Sequence, residues 1–146
     1  MLSKKAKYAL KALLYLTKNT DKGLVLISEI ATAERIPRKF LEAILVDLKT
    51  QGILQSTRGK NGGYSLAKNP AQVSVGNIVR MIDGPLAPIQ CVSHLYYRKC
   101  DECLNEETCE IRLVMKKVRD ATAAILDTTY LSDLQKLNVL LSEEPV

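Results

Sequence analysis

The chain has 146 residues, the length of one domain or of one small domain with an extension, and its 47% of apolar residues can build a core without covalent staples; with one phenylalanine and no tryptophan that core is aliphatic. The basic, then amphipathic start MLSKKAKYAL is not a secretion signal, and no apolar run approaches the ~20 residues of a membrane span, so a soluble cytoplasmic protein with no membrane partner is expected. The net charge of +5 is divided unevenly: residues 1–70 hold thirteen Lys and Arg against five Asp and Glu, residues 71–146 eight against eleven, so the first half is the one suited to a polyanion.

In chain order, Ala6, Ala9, Leu10, Leu13 and Leu16 recur at helical spacing and predict an amphipathic helix over residues 3–18, ending near Asn19 to Gly23. A short apolar segment, Leu24 to Ile27, leads to Ser28, which is placed as the N-cap of a second helix from Glu29 to about Glu34. Arg35 and Ile36 form a turn, and Pro37, which lacks a backbone N–H, suits the opening of a third helix that runs to Gln51 and stops at Gly52. Two helices joined by a tight turn are a weak helix-turn-helix signal until the next stretch is read. Ile53 to Thr57 and Tyr64 to Leu66 read as strands around the turn RGKNGG, which is a hairpin wing. That glycine-rich turn lacks the strand–loop–helix setting and the GK[ST] ending of a nucleotide loop.

In a winged helix the third helix enters the major groove with Arg38, Lys39 and Glu42 outward, while Leu41, Ile44, Leu45 and Leu48 face the core. Glu42 either accepts a hydrogen bond from a cytosine amino group or pairs on the surface with Lys39. Arg58 and Lys60, at the wing tip, are placed to reach the minor groove or its phosphates.

Ser74 is a fitting N-cap for a helix from Val75 to about Ile82, closed by Asp83-Gly84-Pro85. Then comes CVSHLYYRKCDECLNEETC, residues 91–109, with all four cysteines and the one histidine of the chain, the cysteines separated by eight, two and five residues. Thiols at that density suit a soft metal centre or a redox switch better than a core. A helix is predicted from about Glu107 to Asp127, on which Ile111, Val114, Val118, Ala121 and Ile125 form an a/d row over two heptads, suited to a second copy of the chain or to the body of its own domain. Ser132 and Gln135 form a capping box for a last short helix through about Leu141.

SKKAKYAL, ISEIATAERIPRKFLEAILVDLKTQGIL, STRGKNGGYSLAKNP, VSVGNIVRMIDGP and a cysteine-bearing loop before a long helix, in that order, resemble the family of winged-helix repressors that includes the iron–sulfur regulator IscR, the nitric-oxide sensor NsrR and the cysteine-metabolism regulator CymR. The resemblance covers nearly the whole chain. It implies a homodimer built on the long helix, bound to pseudo-palindromic operator DNA, with a cluster or thiol state tuning affinity. Glu42 then falls on a base-reading glutamate and Arg58 on a minor-groove arginine, and Cys91, Cys103 and Cys109 fall on the family's three cysteines. The chain departs from the pattern in a longer first gap between the cysteines and at four positions. Arg112 stands where some members have a histidine ligand, Lys7 and Lys11 stand where others have an N-terminal carboxylate or histidine, and Cys100 is additional. Cys100 is expected to replace the missing ligand in a site of Cys91, Cys100, Cys103 and Cys109, with His94 as the other candidate.

The expectation is a mainly α protein with a small β-hairpin wing: a winged helix-turn-helix unit over 1–83, a cysteine-bearing sensor loop over 84–110, and the dimerisation and C-terminal helices over 107–146. Its cofactor is expected to be an iron–sulfur cluster, with zinc or a bare thiol switch as alternatives; only Cys100 to Cys103 forms the CxxC knuckle that a zinc ribbon uses twice. A metal-stapled protein-interaction module is the competing class. No nucleophile–base–acid set is present and the lone CxxC has no βαβ setting, so no enzyme is expected.

Overall fold

A computed structural model describes residues 2–143; Met1 and residues 144–146, at the ends of the first and last expected units, lie outside the described residues. Among the described residues are six α-helices and a two-stranded antiparallel hairpin. Helix α1 (Lys4–Lys18) begins at Ser3, whose hydroxyl accepts from the Ala6 N–H at 3.0 Å. Its buried face is Ala6, Ala9, Ala12, Leu13 and Leu16, and the three alanines let neighbouring elements approach closely. Around α1 pack α2 (Ile27–Glu34), α3 (Arg38–Thr50), α4 (Val75–Asp83), α6 (Leu131–Glu143) and the wing.

Helix α2 starts two residues before its predicted first residue. Leu26 is the residue at its N-cap, in extended backbone, and no side chain caps the helix there, so Ser28 lies inside the first turn. Arg35 ends it in the left-handed region at φ 54°, ψ 47°, the conformation that turns the chain into α3. Pro37 caps α3 instead of opening it. The buried stripe of α3 is Leu41, Ile44, Leu45 and Leu48, as its periodicity predicts. Gly52, at φ 79°, releases the chain into β1 (Leu54–Thr57) and β2 (Gly63–Leu66), which pair from Leu54↔Leu66 to Thr57↔Gly63. A third segment joins this hairpin: Val25 and Tyr64 exchange both backbone hydrogen bonds, at 2.9 and 2.8 Å. Gly63 permits that approach, because a Cβ there would stand 2.6 Å from the Val25 carbonyl oxygen.

Ser74 caps α4 by accepting from the Asn77 N–H at 3.1 Å, and Gly84, at φ 87°, ends it. Helix α5 (Glu110–Leu126) starts three residues later than its periodicity predicts; none of its side chains is buried. The chain then returns to the body. The Val75 N–H donates to Thr129, the Leu131 N–H donates to Val73, and Leu131 is fully buried in the core. The predicted Ser132–Gln135 capping box is replaced by Asp133, whose carboxylate accepts from the Tyr130 N–H at 2.8 Å.

Candidate nucleic-acid interface and cysteine loop

The exposed side of α3 carries Arg38, Lys39, Glu42 and Val46. Glu42 has a partner, but it is Arg38 one turn earlier, at 3.4 Å, and not Lys39; both side chains of the pair are more than half exposed. An exposed pair of this kind contributes only ~0.3–0.5 kcal/mol, so either member is free to exchange its partner for a ligand group. Across a trough of about 600 Å³ from α3 stands the wing; Val46, Lys49 and Thr50 line one side, Thr57, Arg58 and Gly63 the other. Lys49 ties helix to wing by donating to the Ser56 hydroxyl at 2.6 Å. Arg58 and Lys60 are exposed at the turn, and among the described residues neither they nor Lys39 have an ion-pair partner. Lys11 donates to the Glu34 carbonyl at 2.6 Å, closing the C-terminal end of α2, so its ammonium serves the fold.

The segment between α4 and α5 folds as an irregular loop around the thiols. Cys91 is 5% exposed in a single 3-10 turn (Gln90–Val92), Cys103 and Cys109 are half-buried, and Cys100 is exposed. All four line one hollow of about 490 Å³, together with Ile89 and Arg112. Cys109 caps α5, its sulfur accepting from the Arg112 N–H at 3.4 Å. Desolvation, then the neighbouring Cys91 and Glu102, push the Cys100 thiol above its ordinary range. Tyr97 closes the outer edge of the loop by donating to Glu106.

Two observations bear on whether a soft metal group fits this hollow. The Nε of Arg112 is buried there with no hydrogen-bond partner, a donor suited to a thiolate or sulfide sulfur, and the donor set of four thiols matches such a group in chemistry. Among the described residues, however, no three His, Cys, Asp or Glu side chains converge as a finished ligand set, so closing on a group requires the loop to draw in. His94 stands elsewhere, in a separate small hollow with Arg119 and Asp120.

The row Ile111, Val114, Val118, Ala121 and Ile125 faces away from its own body: Ile111 is 67% and Val118 45% exposed, and the other three are exposed too. Two ties hold the other side of α5, and neither was legible in the periodicity. Arg119, with only 11% of its side chain exposed, donates to the Val92 carbonyl at 2.6 Å. Arg80 of α4 donates to both oxygens of Asp127, at 2.5 and 2.9 Å, which raises the guanidinium pKa and lowers that of the carboxylate. Gly76 leaves room for that bridge; a Cβ there would collide with Asp127 Oδ1. The cysteine loop is therefore tied to the middle of α5 through Arg119, and α4 to its C-terminal end through Asp127.

A helix-turn-helix followed by a wing, with a cationic outer face and a long helix bearing an unburied apolar row, defines a winged-helix DNA-binding regulator. The family profile Rrf2, described as an iron-dependent transcriptional regulator, matches residues 2–137, and the chain belongs to the Rrf2 family of transcriptional regulators, which are not enzymes. It is 44% identical over 137 residues to an rrf2-like HTH-type regulator of Rhodobacter capsulatus, spanning 92% of this chain and 91% of that one. Identity to the HTH-type regulator CymR of Bacillus subtilis is 30% over 133 residues, 91% of this chain and 88% of that protein. The solved structure of B. subtilis CymR, described as the global cysteine regulator, superposes with a TM-score of 0.78 at 27% identity, over 94% of this chain and 97% of that one. That of T. potens IscR gives 0.75 at 25% identity, over 100% and 93%. Among the described residues no helix is long and apolar enough to cross a membrane.

Proposed function

We propose that the chain is a cytoplasmic, homodimeric transcriptional repressor that reads pseudo-palindromic operator DNA and whose affinity is set by the state of a four-thiol centre, most simply an iron–sulfur cluster held by Cys91, Cys100, Cys103 and Cys109. The observation that carries this reading is the gathering of all four thiols into one hollow joined to α5 through Val92 and Arg119. When bound, a cluster supplies redox and ligand-loss chemistry to that hollow. The chain's own residues do the rest. Arg112 offers its unpaired Nε–H to sulfur, Cys109 sets the first turn of α5, and Arg119 follows the backbone beside Cys91. Drawing the loop in or releasing it displaces α5, and with it the separation of two recognition helices that must meet half-sites about one helical turn apart.

On the DNA, Arg38, Lys39 and Lys60 hold phosphates, Glu42 leaves Arg38 to accept from a cytosine, and Arg58 enters the minor groove. Anaerobic purification with a visible spectrum and iron, sulfide and zinc assays tests the centre. Iron and sulfide with charge-transfer absorption are expected; a colourless protein with one zinc per chain selects the zinc reading, and one with neither metal the thiol switch. Binding to duplex DNA should fall steeply with salt, and salt-independent binding would sink the DNA reading.

A further inference from the structure

We propose that Val46 is a specificity-determining residue that reads the C5-methyl group of one thymine in each operator half-site, an inference that rests on the DNA-binding reading above. The core side of α3 is complete without it: Leu41, Ile44, Leu45 and Leu48 are fully buried, and Val46 lies outside the core cluster with 54% of its surface exposed. The other large apolar side chain exposed on the helix, Phe40, has a use in the fold, since its ring meets Tyr8 edge-on at 5.6 Å. Val46 has instead the position of a reader. It follows Glu42 by four residues and Lys39 by seven, so the three share one helix face, and it lines the trough that faces Arg58 of the wing.

The chemistry of that position selects the ligand. Lys49 and Arg58 line the same trough as Val46, beside Leu26 and Ile27, and Lys39 lies on the same helix face, a cationic setting that suits a polyanion. In the major groove thymine alone among the bases presents a methyl group, and an apolar side chain is its recognition partner. Four helical residues advance about 6 Å, and base pairs stack at about 3.4 Å, so the thymine lies about two base pairs from the base that faces Glu42. A β-branched residue at an exposed helical site gains nothing from intrinsic helix propensity, whereas a contact with the methyl removes both groups from water.

The test uses the full-length protein and a duplex selected by it from a random pool. Replacing one thymine at a time by deoxyuridine removes a methyl and nothing else. One thymine per half-site should weaken binding about fourfold when replaced. Val46→Ala should weaken binding to the unmodified duplex by a similar factor and make that position indifferent to deoxyuridine, while Glu42→Gln leaves it sensitive. Because Val46 is exposed, the variant is expected to keep its thermal midpoint; Val46→Thr, which retains one methyl, should fall between the two. The proposal is overturned if every thymine is replaceable without loss, or if the sensitive position stays equally sensitive in Val46→Ala. A pool that yields no consensus overturns the DNA-binding reading as well, whereas a consensus that needs Arg58 but contains no methyl-sensitive thymine overturns this inference alone.

Discussion

Arg58 and Glu42 are both surface residues, and they are expected to fail differently when removed. Arg58 stands at the wing tip without an ion-pair partner among the described residues, so Arg58→Ala should lower the slope of log affinity against log salt by about 1 and weaken the preference for sites with a narrow minor groove. Glu42→Ala should relax preference at a single base position, at a cost of about 1–3 kcal/mol in discrimination, with the salt slope unchanged or steeper because Arg38 is freed from its pair. Salt titrations on matched and single-mismatch duplexes separate the two; equal slopes for wild type and Arg58→Ala would remove Arg58 from the interface. Glycines at this scale serve the wing. Gly63→Ala would drive a methyl against the Val25 backbone at a φ of 150°, so a loss of stability well above ~1 kcal/mol is expected in denaturant titration.

At the scale of elements, local signals were legible where a single residue type does the work. Ser74, Gly52 and Gly84 stop or start helices where the sequence places them, and the α3 stripe and the glycine-rich wing follow from periodicity and turn chemistry. Boundaries failed where a distant or unusual group takes over. Leu26 begins α2 because its extended backbone pairs the preceding Val25 with the wing, which Ser28 cannot announce. Cys109 delays α5, since Asn105 holds the Glu107 N–H in a turn outside the helix and the cysteine sulfur becomes the cap. The ties that position α5 join residues 27 and 47 apart in the chain, a separation at which no pattern of neighbours carries information. The same ties carry two predictions. Arg119→Ala leaves the Val92 carbonyl without its charged donor, a loss of at most about 1.5–3 kcal/mol in the docking of α5. Faster amide exchange in residues 110–126 and a smaller difference in DNA affinity between the two states of the thiols are expected. Asp127 is a carboxylate whose folded pKa lies below its ordinary value because Arg80 donates to it. Its stabilisation is therefore fully present above the ordinary carboxylate pKa and fades as pH falls through the depressed value. Asp127→Asn should flatten the acid limb of a thermal-midpoint profile while leaving the neutral region less stable; an acid limb identical to wild type would show the bridge to be thermodynamically idle.

For the whole molecule the decisive feature is a helix whose apolar row is left uncovered by its own chain. An apolar a/d row held outward on α5, with Ile111 67% and Val118 45% exposed, has no stabilising use until another surface covers it. In the proposed homodimer a second copy would provide the same row by symmetry and simultaneously pair two recognition helices for a pseudo-palindrome. Val118→Asp places a charge at the centre of this row, outside α3 and outside the residues that line the thiol hollow. Light scattering should show the dimer replaced by monomer, with the metal content and thermal midpoint of each chain little changed. Affinity for a full operator should fall by roughly 10²–10⁴, the factor lost when the second half-site no longer binds intramolecularly, whereas affinity for a half-site duplex should stay the same. If Val118→Asp remains dimeric, the pairing surface lies elsewhere. If it is monomeric yet binds the full operator undiminished, the two half-sites are read independently, and displacement of α5 by the thiol centre would have no lever on the DNA.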